Sequence, residues 1–296
     1  MCSYTSRALC ALSLLVPMQV CWGGEYASRI DLSASQANQA DLDSRTRWLI
    51  GSGVGATYLY GLTSWWGDGF RSEFKIEREG WFGRDSKHGG QDKLGHYMFT
   101  YAGARLLTWG LESFGHTREK AIWLGAGTAF AALSGVEVID GFARRWSFGP
   151  EDFAMNSAGA AAAVLLEQNP KLDRMFDFRI HYSPSVRQDG ARRDWEPISD
   201  YAGQTYYFVT KAEGFEALDR LPGVRYLELS LGYQARGFET GGEPARFSYL
   251  GVSFNLGKLL REHFISEGRP RLRKVSDNLF EYVQFPVSGT WGERRF

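Results

Sequence analysis

Three features of the sequence predict an α+β architecture, an N-terminal bundle of about four Gly/Ala-rich helices followed by a small C-terminal antiparallel β-sheet. Apolar stretches of helical length, crowded with Gly and Ala, run from Trp48 to Gln168. Pro170 closes that region. Alternation of leucine with polar residues at period two begins only after Asp200. Small residues let helix backbones approach closely, which is how helices pack in lipid, so a membrane-embedded or membrane-apposed bundle is expected ahead of a fully soluble one.

With 296 residues and 15% aromatic content the chain can fill a substantial core, and two units are expected. Its formal charge is zero and no long basic run alternates with aromatics, which argues against a nucleic-acid partner. Arg7 followed by the 13 uncharged residues Ala8 to Val20 reads as a secretory signal, too short for a spanning helix. Residues 1–24 are therefore expected to be a signal peptide cleaved near Gly23 or Gly24, with an uncleaved anchor as the other reading. Cys2, Cys10 and Cys21 all fall there, so the mature chain would hold no disulfide, thiolate metal site or cysteine nucleophile. Cys21 could alternatively carry a lipid, although Met18-Gln19-Val20 lacks the small residue usual ahead of a lipidated cysteine. Export to the periplasmic side of the cell envelope, in association with a membrane, follows.

The polar, Ala/Gln/Asn-rich stretch from Ser28 to Asp43 reads as an exposed arm or solvated helix. Trp48 to Trp66 is uncharged over 19 residues and ends in Trp65-Trp66, as a membrane helix with interfacial aromatics would. Phe70 to Gly90, charged and punctuated by glycine, is expected to be a loop folded over a site. Helices are expected from Gln91 to Ser113, Glu119 to Gly141 and Glu151 to Gln168. The first and third of the four are long enough to span a bilayer. The second carries His96 and Arg105, and the fourth is apolar for only about 14 residues. The helical bundle is thus assigned to residues 25–170, a linker to 171–200 and the β region to 201–296. Strands are expected at Tyr206 to Phe208, Tyr226 to Tyr233 and Ser248 to Leu256. A complete outer-membrane barrel of eight strands at ~9–11 residues each would consume nearly everything after Asp200, so a small sheet packed on the bundle is preferred. The basic cluster Arg269, Arg271, Arg273 and Lys274 could touch anionic headgroups.

Three polar pairs at helical spacing stand inside this apolar sequence: Asp92 with His96, Glu137 with Asp140, and Asp152 with Asn156. Residues three or four apart share a helix face, so three helices so aimed could build one polar pocket. An Asp one turn before a His can orient the imidazole and raise its basicity, or both can ligate a metal; the bland reading is an N-cap beside an interfacial His. Glu137, in an apolar helix, must become neutral or find a partner such as Asp140, Arg144, Arg145 or Lys93. Asp152 could simply compensate a helix dipole after Gly149-Pro150. Together these groups could hold a divalent cation or work as an acid and base without one; no cofactor is specified.

Gly80-Trp81-Phe82-Gly83, Gly89 through His96, Glu137, Ser147-Phe148-x-x-Glu151-Asp152 and Asn156-x-x-Gly159-Ala160 resemble the uncharacterised family of predicted periplasmic lipoproteins typified by YfiM. The likeness covers about Trp66 to Leu166 and the segment Asp200 to Tyr206. More distantly, the order D-K-x-x-H, E, D-x-x-x-N-x-x-G looks like the VanZ-like membrane proteins, implicated in glycopeptide resistance and without a settled activity. The resemblance implies that Asp92, Lys93, His96, Glu137, Asp152 and Asn156 act together. Three readings stay open: a pocket binding a metal or a lipid-linked or cell-wall ligand, a hydrolase of a lipid-linked substrate, and a non-catalytic envelope scaffold. In the first two, His96, Asp92 and Glu137 carry the chemistry, and Lys93, Asp152 and Asn156 contact the ligand.

Overall fold

The computed structural model describes residues 39–186, 190, 192–238, 243–285 and 289–295. The expectations for the signal peptide, for Cys2, Cys10 and Cys21 and for most of the polar arm lie outside these residues. The described chain forms two compact units, one from residues 39–78 and 99–164, the other from 79–98 and 165–295.

The first unit is helical. α1 (Gln39–Ser64), the part of α2 (Gln91–Phe114) after Met98, α3 (Arg118–Phe142) and most of α4 (Pro150–Gln168) build it. α1 begins well before the expected Trp48, in a charged turn closed by an Arg45–Asp41 ion pair at 2.8 Å. Among the described helices α3 alone is long and apolar enough to cross a bilayer. The serines, threonines and glycines scattered through Trp48–Trp66 lower its hydropathy and keep α1 from qualifying. Along α3, Ala121, Gly125, Ala129, Ala132 and Val136 recur at three- and four-residue steps on the buried face. The approach is close: a Cβ at Gly125 would stand 2.7 Å from the Ala104 carbonyl of α2. Trp66, Val136 and Ala143 form a core with Tyr58 and Trp146 against it, and the Trp66 indole donates to Asp140 at 2.6 Å.

The second unit holds the sheet. α5 (Pro170–Met175) leads into β1 (Phe176–Tyr182), so the stretch expected as a linker contains a helical turn and an edge strand. β2 (Gln204–Lys211), α6 (Glu216–Asp219), β3 (Leu227–Arg236), β4 (Ala245–Phe254), α7 (Leu256–His263), α8 (Pro270–Tyr282) and β5 (Gly289–Arg295) follow. The five strands run in sequence order and every neighbouring pair is antiparallel, a simple meander.

The faces of this sheet are reversed from those of an ordinary soluble sheet. Asp177, Arg179, Glu228, Ser230 and Ser253 are buried, whereas Leu229, Leu231, Leu250, Val252 and Phe254 are 48–56% exposed. The buried side closes on charge. Arg179 grips Glu228 through two bonds of 2.7 and 2.8 Å, and its partner Asp177 also receives Lys211. Burial alone would raise the Asp177 carboxyl, but Lys211 and Arg179 beside it hold it below the ordinary carboxylate value.

Candidate functional site

The candidate site grows from the entry to α2. Gly89 and Gly90 both have positive φ, 63° and 86°, a region that favours glycine. Space demands them as well, since a Cβ on Gly90 would sit 2.2 Å from the Phe82 ring and one on Gly89 2.6 Å from the Ala235 Cβ. Next, the buried Gln91 side chain donates to the carbonyls of Tyr201, at 2.9 Å, and Gln204, at 2.7 Å. Phe82 stacks edge-on against Tyr233, whose hydroxyl donates to the Gly89 carbonyl at 2.5 Å. A glycine pair and a glutamine thus fix the first turn of α2 against β2 and β3.

That fixed turn aims Asp92 and Lys93 at Glu79. Asp92 stands in the first turn, where a carboxylate complements the helix dipole, and accepts from the Lys93 N–H at 2.9 Å. The Lys93 ammonium is only 1% exposed and lies 2.6 Å from Asp92 Oδ2 and 3.0 Å from Glu79 Oε2. Lys87 reaches the other Glu79 oxygen at 2.5 Å. Burial works to raise Glu79, but Lys93 above all, with Asp92 and Lys87, brings its carboxyl down to about 2. Burial, and then the nearby Asp92 charge, pushes the Tyr206 hydroxyl well above its ordinary value. Two carboxylates and two ammonium groups balance.

His88 adjoins this network, its ring 4.9 Å from that of Tyr201. One ligand atom each from Glu79, His88 and Asp92 lies within 4.8 Å of the others, a nitrogen and two oxygens suited to a divalent cation. His96, half-buried, stands one turn beyond Asp92 on α2.

The other three residues singled out in the sequence belong to the helical unit. Glu137, 2% exposed, accepts the Gly149 N–H at 3.0 Å and so satisfies a backbone donor just ahead of α4. Asp152 meets the same glycine, for a Cβ on Gly149 would stand 2.1 Å from Asp152 Oδ2. Two carboxylates therefore sit at the positive end of α4. Asn156, fully buried, accepts from the Thr100 hydroxyl at 2.9 Å and ties α4 to α2. The Gly149 amide is a partner of Glu137 that the sequence analysis did not name.

Glu79, like its partner Lys87, is a member of the network that the sequence did not single out. It stands alone in a charged loop with no helical period, and its only mark is its place directly ahead of Gly80-Trp81-Phe82-Gly83.

Residues 78–168 match the model of a family described as predicted periplasmic lipoprotein (DUF2279). That span contains Glu79, His88 and all six residues singled out in the sequence, and leaves the sheet outside. The match supports an exported, periplasmic and membrane-associated setting. No curated protein and no solved structure matches the chain.

Proposed function

We propose that this chain is a membrane-associated scaffold of the periplasmic side of the cell envelope, in which the Glu79–Lys93–Asp92 network holds the entry of α2 in register. The observation that carries this reading is Lys93. An ammonium 1% exposed and bonded to both carboxylates already supplies the cation that Glu79 and Asp92 require. Glu137 and Asn156 have the same character, one ordering the start of α4 and the other joining two helices. A cleaved segment 1–24, the likeness to YfiM-typified proteins and the more distant one to VanZ-like proteins belong to this proposal, on sequence grounds.

A second reading is favoured by one observation, the convergence of Glu79, His88 and Asp92 within 4.8 Å. There a divalent cation, or a lipid-linked or cell-wall ligand, would be held beside Lys93. A hydrolase would then use His96 as base with Asp92 orienting it and Glu137 as a second acid, while Lys93, Asp152 and Asn156 position the ligand.

Two measurements separate these readings. Metal analysis of the purified full chain is expected to find substoichiometric metal. His96→Ala and Glu137→Gln are expected to lower envelope integrity only as far as they lower stability. A stoichiometric metal, or an envelope defect in a variant of unchanged stability, would overturn the scaffold in favour of binding or chemistry.

A further inference from the structure

Outside the matched family segment, the sheet unit presents an apolar surface on the face opposite its buried charge network. Leu229 and Leu231 of β3 stand directly beside Val252 and Leu250 of β4, with Phe254 beside Leu227 at the end of the ladder. The upper part of the same face is covered within the unit, where Phe82 packs on Tyr233, Tyr97 on Phe178 and Gly89 on Ala235. The lower part is open.

α8 repeats the reversal. Its Ser276 is buried, whereas Leu272, Val275 and Leu279, at helical spacing, are 46–55% exposed. α8 lies on the charged side of the sheet, where Gln284 just after it accepts from Arg179, so its stripe points away from the leucine face. A sheet with charge inside and leucine outside has the alternation of a membrane-facing β-structure.

Charge complementarity selects the occupant. Arg294 pairs with Ser248, which places it on the same face as Leu250 and Val252 at the end of the apolar ladder, and it is exposed. Apolar side chains edged by a cation suit acyl chains under anionic headgroups. A membrane is already within reach of a chain whose matched segment belongs to a lipoprotein family.

We propose that the open leucine face of β3 and β4 lies in the acyl region of an anionic bilayer leaflet. This assignment is independent of what the Glu79 network does.

The test uses the full chain reconstituted with phosphatidylethanolamine–phosphatidylglycerol vesicles that contain a lipid with a photoactivatable acyl chain, followed by peptide mapping. Lipid adducts are expected on the peptides covering residues 227–231 and 250–254. Leu231→Ser with Leu250→Ser should cut adducts on the sheet peptides by roughly ten-fold per leucine if each removes about one full side-chain transfer. The paired Leu→Ile variant, apolar and of equal volume, should keep them. Replacing phosphatidylglycerol by phosphatidylcholine should lower them several-fold. Adducts confined to other peptides would overturn the proposal, as would equal labelling on both vesicle types. Copy-to-copy crosslinks through the leucine face, with a dimer by light scattering that the serine variant abolishes, would assign the surface to a second copy instead.

Discussion

Replacing Lys93 by methionine, which keeps the stem and removes the ammonium, tests the network at its centre. Glu79 and Asp92 would be left with oxygens within 4.8 Å of each other, and Lys87 beside Glu79. At an effective dielectric near 20, two like charges at that separation repel by about 3.5 kcal/mol. Breaking a buried pair by removing one partner costs about 3–5 kcal/mol, so Lys93→Met is expected to lose that much. Urea denaturation followed by circular dichroism, at matched lipid or detergent, reads it. The pH dependence supplies the sign. Glu79 is depressed to about 2 in the folded chain. Its stabilisation is therefore complete above its unfolded pKa of about 4.5 and is lost as pH falls through about 2. That depression corresponds to about 3 kcal/mol at neutral pH, shared among coupled groups. The gap between native and variant should therefore narrow from pH 6 to pH 2. A loss under about 1 kcal/mol, or a gap that does not change with pH, would refute the network as a stabilising element.

Three further perturbations follow from the same geometry. Gly90→Ala combines a positive φ with a Cβ 2.2 Å from Phe82, and a fall in stability of about 2 kcal/mol or more is expected in the same denaturation assay. Glu137→Gln keeps an oxygen able to accept from Gly149 but loses its charge at the start of α4, so thermal unfolding should show only about 1 kcal/mol of loss, while Glu137→Ala should cost more. Arg179→Met strands Glu228 on the buried face, Asp177 keeping Lys211, and should cost about 3–5 kcal/mol, against little for a double variant that also makes Glu228→Gln.

The helices were legible because their signals are local. Period, length and the Gly149-Pro150 punctuation placed three of the four within two residues of their observed ends. The fourth, α1, was placed nine residues too late, because the charges before Trp48 look like a solvated arm yet pair at i,i+4 along the helix. Strand β1 was hidden by its charges: Asp177 and Arg179 interrupt a run of aromatics, and without their partners Lys211 and Glu228 in view they read as linker. For the site, Asp92 was visible by its spacing from His96, and Lys93 through the family resemblance. Glu79 was not, since it reaches them only through the glycine turns at 80, 89 and 90.

Period two identifies a strand and its two faces but carries no statement of which face is inside. In β3 the leucines at 227, 229 and 231 look like core residues, yet they are the outward set, because Glu228 and Ser230 point to where Arg179 and Ser253 already wait. A slip of β3 by one residue would exchange its two sets, burying leucine against Arg179 and turning Glu228 and Ser230 outward. Arg179 would lose Glu228, while Asp177 kept Arg179 and Lys211, and breaking a buried pair on one side costs about 3–5 kcal/mol, which opposes that slip. The charge network is therefore what forces the leucines outward. A bilayer would remove the remaining penalty of their exposure, so stability of the sheet unit should rise on reconstitution, and Arg179 should matter for lipid contact although it touches none.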